Sequence, residues 1–92
     1  MIDPVVKYII VNHSSYIHIY VYDAFRKRGI NVKKIITKLH SLYGENFNGD
    51  QFIEFWEKYL DTYLQEKHSI TFNDLLLEAF KDIIPRFRHL VK

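Results

Sequence analysis

The chain has 92 residues, 48% of them hydrophobic, with seven Phe, seven Tyr and one Trp, and a net charge of +2. That length makes one domain, residues 1–92; so short a chain buries only about 60% of its unfolded surface, and a composition this rich in large apolar groups excludes intrinsic disorder. The lack of cysteine excludes a disulfide framework and a thiolate zinc site and suits a reducing, cytoplasmic setting, and the apolar run over residues 2–22 is broken too often, by Asp3, Lys7, Asn12, His13, Ser14, Ser15 and His18, for a membrane span.

Asp3-Pro4 starts a first helix, because the aspartate can accept from the free N–H groups of the first turn and proline there forfeits no hydrogen bond. Asn12-His13-Ser14-Ser15 breaks it. Residues 16–22, Tyr-Ile-His-Ile-Tyr-Val-Tyr, favour a strand by propensity alone. They run without a turn signal into Asp23-Ala24-Phe25-Arg26-Lys27-Arg28, however, and stop at Gly29, where cations suit the negative end of a helix dipole and glycine the left-handed cap. A helix is therefore expected.

Asn31 caps a second clear helix whose apolar positions Val32, Ile35, Ile36, Leu39, Leu42 and Tyr43 keep helical spacing up to Gly44, leaving Lys34, Thr37, Lys38 and Ser41 outside. Asn48 followed three residues later by Gln51 is a capping-box pattern, launching a third helix through Phe52, Phe55, Trp56, Tyr59, Leu60 and Tyr63, an aromatic stripe expected in the core. Residues 62–72 read either as a stubby hairpin or as a helix end and loop. Thr71 or Asn73 caps a long last helix, kinked at Pro85, with Leu76, Phe80, Ile83, Ile84, Phe87, Leu90 and Val91 on one stripe. The fold class expected is mainly α, with at most a short β-hairpin and a long C-terminal helix.

Charge is distributed unevenly. Arg26, Lys27, Arg28, Lys33, Lys34 and Lys38 fall in a window, residues 24–44, that holds no acid, whereas residues 45–82 hold nine carboxylates against Lys58, Lys67 and Lys81; Arg86, Arg88 and Lys92 follow. Such a segment is what a face meeting a polyanion requires, or one that pairs with the acidic segment instead. Residues 48–55 do not make a calcium loop, since too few acids precede the glycine. His13, His18, His40, His68 and His89 are scattered without metal-ligand spacing, and no nucleophile–base motif or glycine-rich phosphate loop occurs, so no metal, cofactor or enzymatic activity is expected.

Two helices of about a dozen residues joined by a short turn, preceded by a helix ending in glycine, follow the helix-turn-helix plan. Residues 25–65, with Ile35-Ile36-Thr37-Lys38-Leu39 in the second helix, Tyr43-Gly44 at its close and Phe52-Ile53 with Leu60 in the third, resemble the winged-helix core of PadR-like regulators and of small winged-helix DNA-binding proteins of archaeal plasmids and viruses. Ile70-Thr71-Phe72-Asn73 is similar to that family's second wing strand and the start of its closing helix. The resemblance implies double-stranded DNA as partner, a role in transcription regulation or in plasmid or viral DNA segregation, and a homodimer built on the last helix, through Leu76, Phe80, Ile83, Ile84, Phe87, Leu90 and Val91.

In that plan Arg26, Lys27, Arg28, Lys33, Lys34 and Lys38 meet phosphates, while Asn48, Gln51 and neighbours such as Thr37 or Ser41 read base edges, with Asn46 also suited to the DNA side. The third helix also carries Asp50, Glu54, Glu57 and Asp61, which repel phosphate. The rival expectation is a small helical adaptor or inhibitor that binds a second protein and no nucleic acid.

Overall fold

A computed structural model of the chain describes residues 2–91, in which six helices surround one core within 35 × 28 × 22 Å. Lys92, counted above among the C-terminal cations, lies outside the described residues. Helix α1 is Pro4–Asn12, started by the Asp3 carboxylate, which accepts from the N–H groups of Val5 (2.8 Å) and Val6 (3.2 Å). It buries Val5, Val6, Ile9 and Ile10.

Helix α2 spans residues 17–27, as a π turn, Ile17–Val21, that runs into the α-helical Tyr22–Lys27. The helix prevails over the strand alternative: Ile17, Val21 and Phe25 are buried while Ile19, which would share their face in a period-two strand, is 58% exposed, and the buried Tyr22 and Ala24 would fall on the opposite face. It ends as its sequence indicates. Gly29 adopts φ +73°, a left-handed conformation that L side chains rarely take, and the Ile30 N–H returns to the Phe25 carbonyl at 3.0 Å while the Ile30 side chain is buried.

Helix α3, Val32–Tyr43, is capped by Asn31, whose side chain accepts from the Lys34 N–H at 3.1 Å, and buries Val32, Ile35 and Leu39. Leu42 departs from the expected inner stripe and stands 46% exposed. Helix α4 covers residues 49–68 in three parts: α-helical Gly49–Phe55, a π turn Trp56–Leu60, and α-helical Asp61–His68. Both halves of the capping box are made, with Asn48 accepting from the Gln51 N–H at 2.8 Å and Gln51 accepting from the Asn48 N–H at 2.9 Å.

Gly49 is buried where α4 starts against the end of α1, and a Cβ there would lie 2.4 Å from the Ile10 carbonyl oxygen and 2.7 Å from the Val11 Cα. On an open helix Gly→Ala gains about 1 kcal/mol in helix propensity. Here the obstacle is backbone, which cannot swing aside, and overpacking costs about 1–3 kcal/mol or more. Gly49→Ala is therefore expected to destabilise the fold, as a lowered midpoint in urea unfolding; an unchanged or higher midpoint contradicts the tight α1–α4 junction.

Among the described residues there is no strand. Residues 62–72 are the end of α4, stopped by Ser69 at φ 53°, and a loop leading to helix α5, Phe72–Ala79, capped by Thr71. Of the two alternatives for this stretch, the helix end and loop is the one formed; no hairpin forms, because the Asp61 side chain accepts from the Phe72 N–H at 3.0 Å and Phe72 packs inward, drawing this stretch onto α4.

Nor is there one long C-terminal helix. The chain turns at residues 80–83, and Pro85 starts rather than kinks a short helix α6, Ile84–Phe87, followed by a 3₁₀ turn Arg88–Leu90. Proline lacks the N–H that a continuous helix would need there, and the reversal folds the apolar stripe back on its own domain. Leu76, Phe80, Ile83 and Ile84 are consequently core residues, leaving only Phe87, Leu90 and Val91 of the expected dimer surface with appreciable exposure.

Helix α1 packs on the first half of α4 and on α6, α2 on α3 and α5, and the end of α4 on α5. Phe72 sits where these layers meet, stacked on Trp56 with ring centroids 3.9 Å apart and edge-on to Phe25 (5.9 Å) and Phe52 (5.8 Å).

Tyr22 is 2% exposed, and its hydroxyl has no hydrogen-bond partner among the described residues. Burial pushes its pKa up from 10.0 to about 12. The unfolded chain thus releases this proton at lower pH than the folded one, so stability is intact below pH ~10 and declines as pH rises towards ~12. Tyr22→Phe should remove that alkaline loss and, by deleting an unpaired buried hydroxyl, stabilise the domain by about 1 kcal/mol, or ~4–8 °C in Tm. Thermal melts at pH 7 and from pH 9 to 12 check both parts; a lowered neutral-pH Tm contradicts the unpaired hydroxyl.

Candidate nucleic-acid interface

Helical spacing on α3 puts Lys33, Lys34, Thr37, Lys38 and Ser41 on one exposed face, opposite the buried Val32, Ile35 and Leu39. Lys33, Lys34 and Lys38 make no ion pair with a carboxylate among the described residues, and neither does Arg26 at the end of α2. The hydroxyls of Thr37 and Ser41 donate to the carbonyls of Lys33 (2.9 Å) and Lys38 (2.8 Å), which keeps them close to the helix.

The other two cations are engaged. Lys27 pairs with Asp23 at 3.1 Å, one helical turn back, and the Arg28 guanidinium pairs with Glu78 at 2.6 Å, tying the end of α2 to α5. Both pairs are exposed, so each stabilises by at most about 1 kcal/mol. Their effect is on direction. Lys27 and Arg28 line clefts shared with Glu78, whereas Lys34 and Lys38 border α4.

The start of α4 differs from the expected base-reading end. Asn48 and Gln51 are bonded to each other in the capping box, and Gly49 is pressed against α1. Asn46 is exposed in the preceding turn, beside a cleft that also holds Glu45 and His18. Glu54, the acid of α4 linked to α3, accepts from the Tyr43 hydroxyl at 2.7 Å and pairs with Lys58 at 3.4 Å. The Tyr43 hydrogen bond, then the Lys58 charge, hold the Glu54 carboxyl below its ordinary range, while the same bond pushes Tyr43 up to about 12.

The structure brings Lys34 and Lys38 together with three residues outside the expected site: Asn31, Tyr59 and Tyr63. These five, with Ile35, Phe55 and Leu60 as floor, line a groove of about 240 Å³ between α3 and the second half of α4. Lys38 Nζ lies 4.7 Å from the centre of the Tyr59 ring. Phe52, Phe55 and Trp56 are buried as the aromatic stripe suggests, but Tyr59 is 40% and Tyr63 36% exposed.

The cause is the π turn. Its Asp61 N–H reaches back five residues to the Trp56 carbonyl, widening the helix so that Phe52, Trp56, Leu60 and Leu64, four apart, all stay inward. Tyr59 and Tyr63, which continue the row begun by the buried Phe55, are thereby turned to the edge. The aromatic repeat signals this row in the sequence, but its exposure depends on the local winding.

Among the described residues no cluster of three or more His, Cys, Asp or Glu could hold a metal ion, and no helix is long and apolar enough to cross a membrane. The chain matches no protein-family model, no curated protein and no solved structure, so its functional reading rests on these residues alone.

Proposed function

We propose that the protein is a wingless helix-turn-helix domain that binds double-stranded DNA and serves transcription regulation or the segregation of plasmid or viral DNA. The observation that carries this reading is the exposed face of α3, where Lys33, Lys34 and Lys38 stand together without a carboxylate partner among the described residues. A lysine-bearing helix face also serves solubility. What favours DNA is the placement of that face on the helix following a tight turn, Arg28-Gly29-Ile30-Asn31, as in helix-turn-helix units.

The geometry supports α3, rather than α4, as the helix facing the duplex, because the α4 start is packed on α1 and its polar side chains cap the helix. Lys33, Lys34, Lys38 and Arg26 then supply phosphate contacts, with Lys27 and Arg28 joining only by exchanging Asp23 and Glu78 for phosphate. A two-fold pairing has only Phe87, Leu90 and Val91 of the expected surface to draw on.

The test is retention on immobilised duplex DNA over a salt gradient. Three to four phosphate contacts per domain give a slope of about −3 to −4 in log K against log salt. Retention that does not change with salt, or none at low salt, overturns the reading in favour of a protein-binding adaptor.

A further inference from the structure

We propose that the groove between α3 and the second half of α4 seats an unpaired nucleotide of a DNA strand, with its base against the Tyr59 and Tyr63 rings and its phosphate on Lys34 and Lys38. The inference rests on α3 being the nucleic-acid face and deepens that reading: the domain would engage frayed, melted or single-stranded DNA in addition to duplex.

The chemistry of the lining selects this occupant. An unpaired nucleotide has a flat, weakly polar face, an edge of hydrogen-bonding groups and an anion. The groove offers an apolar floor of Ile35, Phe55 and Leu60, two tyrosine rings, two ammonium groups and the Asn31 side chain, whose oxygen is used by the Lys34 N–H and whose amide N–H groups remain to donate. Among the described residues no carboxylate lines it. Four other clefts each carry at least one: Asp74 and Glu78; Glu57, Asp61 and Asp74; Glu45; and Asp23, Glu78 and Asp82. An anionic strand entering any of those meets like charge.

The tyrosines are suited to stacking. They follow the buried Phe55 on the row that the π turn brings to the surface, and π turns inside helices are frequent at functional sites. Tyr59 already holds a cation, Lys38, near its face. A nucleotide takes both partners, the phosphate drawing the ammonium aside and the base replacing it on the ring. Stacking on aromatic rings is sequence-tolerant because every base has a π face, so preference for strandedness rather than for sequence is expected.

The experiment measures binding of fluorescein-labelled (dT)12, of a 20-base-pair duplex and of free dTMP to the intact domain, and to Tyr59→Leu and Tyr63→Leu variants. Leucine keeps apolar cover over the floor while deleting the ring, and circular dichroism confirms that each variant is folded. Expected are binding of (dT)12, weaker by about 5- to 100-fold in each variant, duplex binding within about twofold of the parent, and dTMP binding far weaker than (dT)12. Single-strand binding without duplex binding keeps the inference and removes the duplex function. Duplex binding with no (dT)12 binding, or with (dT)12 binding that both variants retain in full, overturns the inference and leaves the duplex function standing. Free dTMP bound as tightly as (dT)12 overturns the strand as the occupant, and failure to bind any nucleic acid overturns both.

Discussion

Replacing Lys33, Lys34 and Lys38 together by Gln is expected to weaken duplex binding roughly a hundredfold at low salt and to make the log–log salt slope shallower by about 3, one unit for each lost phosphate contact. The three side chains are exposed and make no ion pair among the described residues, so their removal should change stability by no more than about 0.5 kcal/mol each. A parallel change of Lys27 and Arg28 to Gln should cost far less affinity, because those cations are already directed to Asp23 and Glu78. Filter binding at 50, 100 and 200 mM salt, with thermal melts of each variant, distinguishes the two sets. If the α2 pair matters more than the α3 triple, the DNA-facing surface is not the one proposed.

The largest effect on stability is expected from Phe72→Ala. Phe72 is fully buried, stacks on Trp56 and touches the edges of Phe25 and Phe52, so truncation leaves a cavity lined by one ring of α2 and two of α4. Phe→Ala in such a core costs about 3–5 kcal/mol, against a total of about 5–14 kcal/mol for a domain of this length. The expected result is a Tm lowered by about 15–30 °C, with part of the population unfolded at room temperature in mild urea. Phe72→Leu, which restores most of the volume, should recover more than half of the loss. Equal losses for both variants would mean that ring stacking, not volume, holds this junction.

Local chemistry made several elements legible. Asp3 with Pro4, Asn31, the Asn48–Gln51 capping box and Thr71 all start helices where their side chains can satisfy free N–H groups, and Gly29 and Gly44 both lie at helix ends with positive φ. Such signals involve neighbours within four residues and survive any tertiary arrangement. The periodic inner face of α3 was readable for the same reason, with Leu42 the exception because little packs over the last turn.

The C-terminal stripe illustrates the opposite case. Leu76, Phe80, Ile83 and Ile84 have the spacing of one continuous apolar face, but apolar residues look alike whether covered by their own domain or by a second copy. Only the turn at residues 80–83 settles it, and that turn goes with Pro85 and with the packing of the returning chain on α1. The hairpin alternative failed similarly: Ile70-Thr71-Phe72 has strand-forming residues, but Asp61 and the aromatic core hold Phe72 as the first residue of α5.

By itself the sequence determined that the chain is helical, where most helices begin, and that one acid-free segment concentrates six cations, because composition, caps and charge are properties of neighbouring residues. The tertiary structure alone decided which of those cations remain unpaired, since Glu78 lies fifty residues from Arg28. It also decided that Tyr59 and Tyr63 come to the surface beside Lys34 and Lys38, because the winding of α4 depends on how Phe52, Trp56, Leu60 and Leu64 seat in a core supplied by other helices.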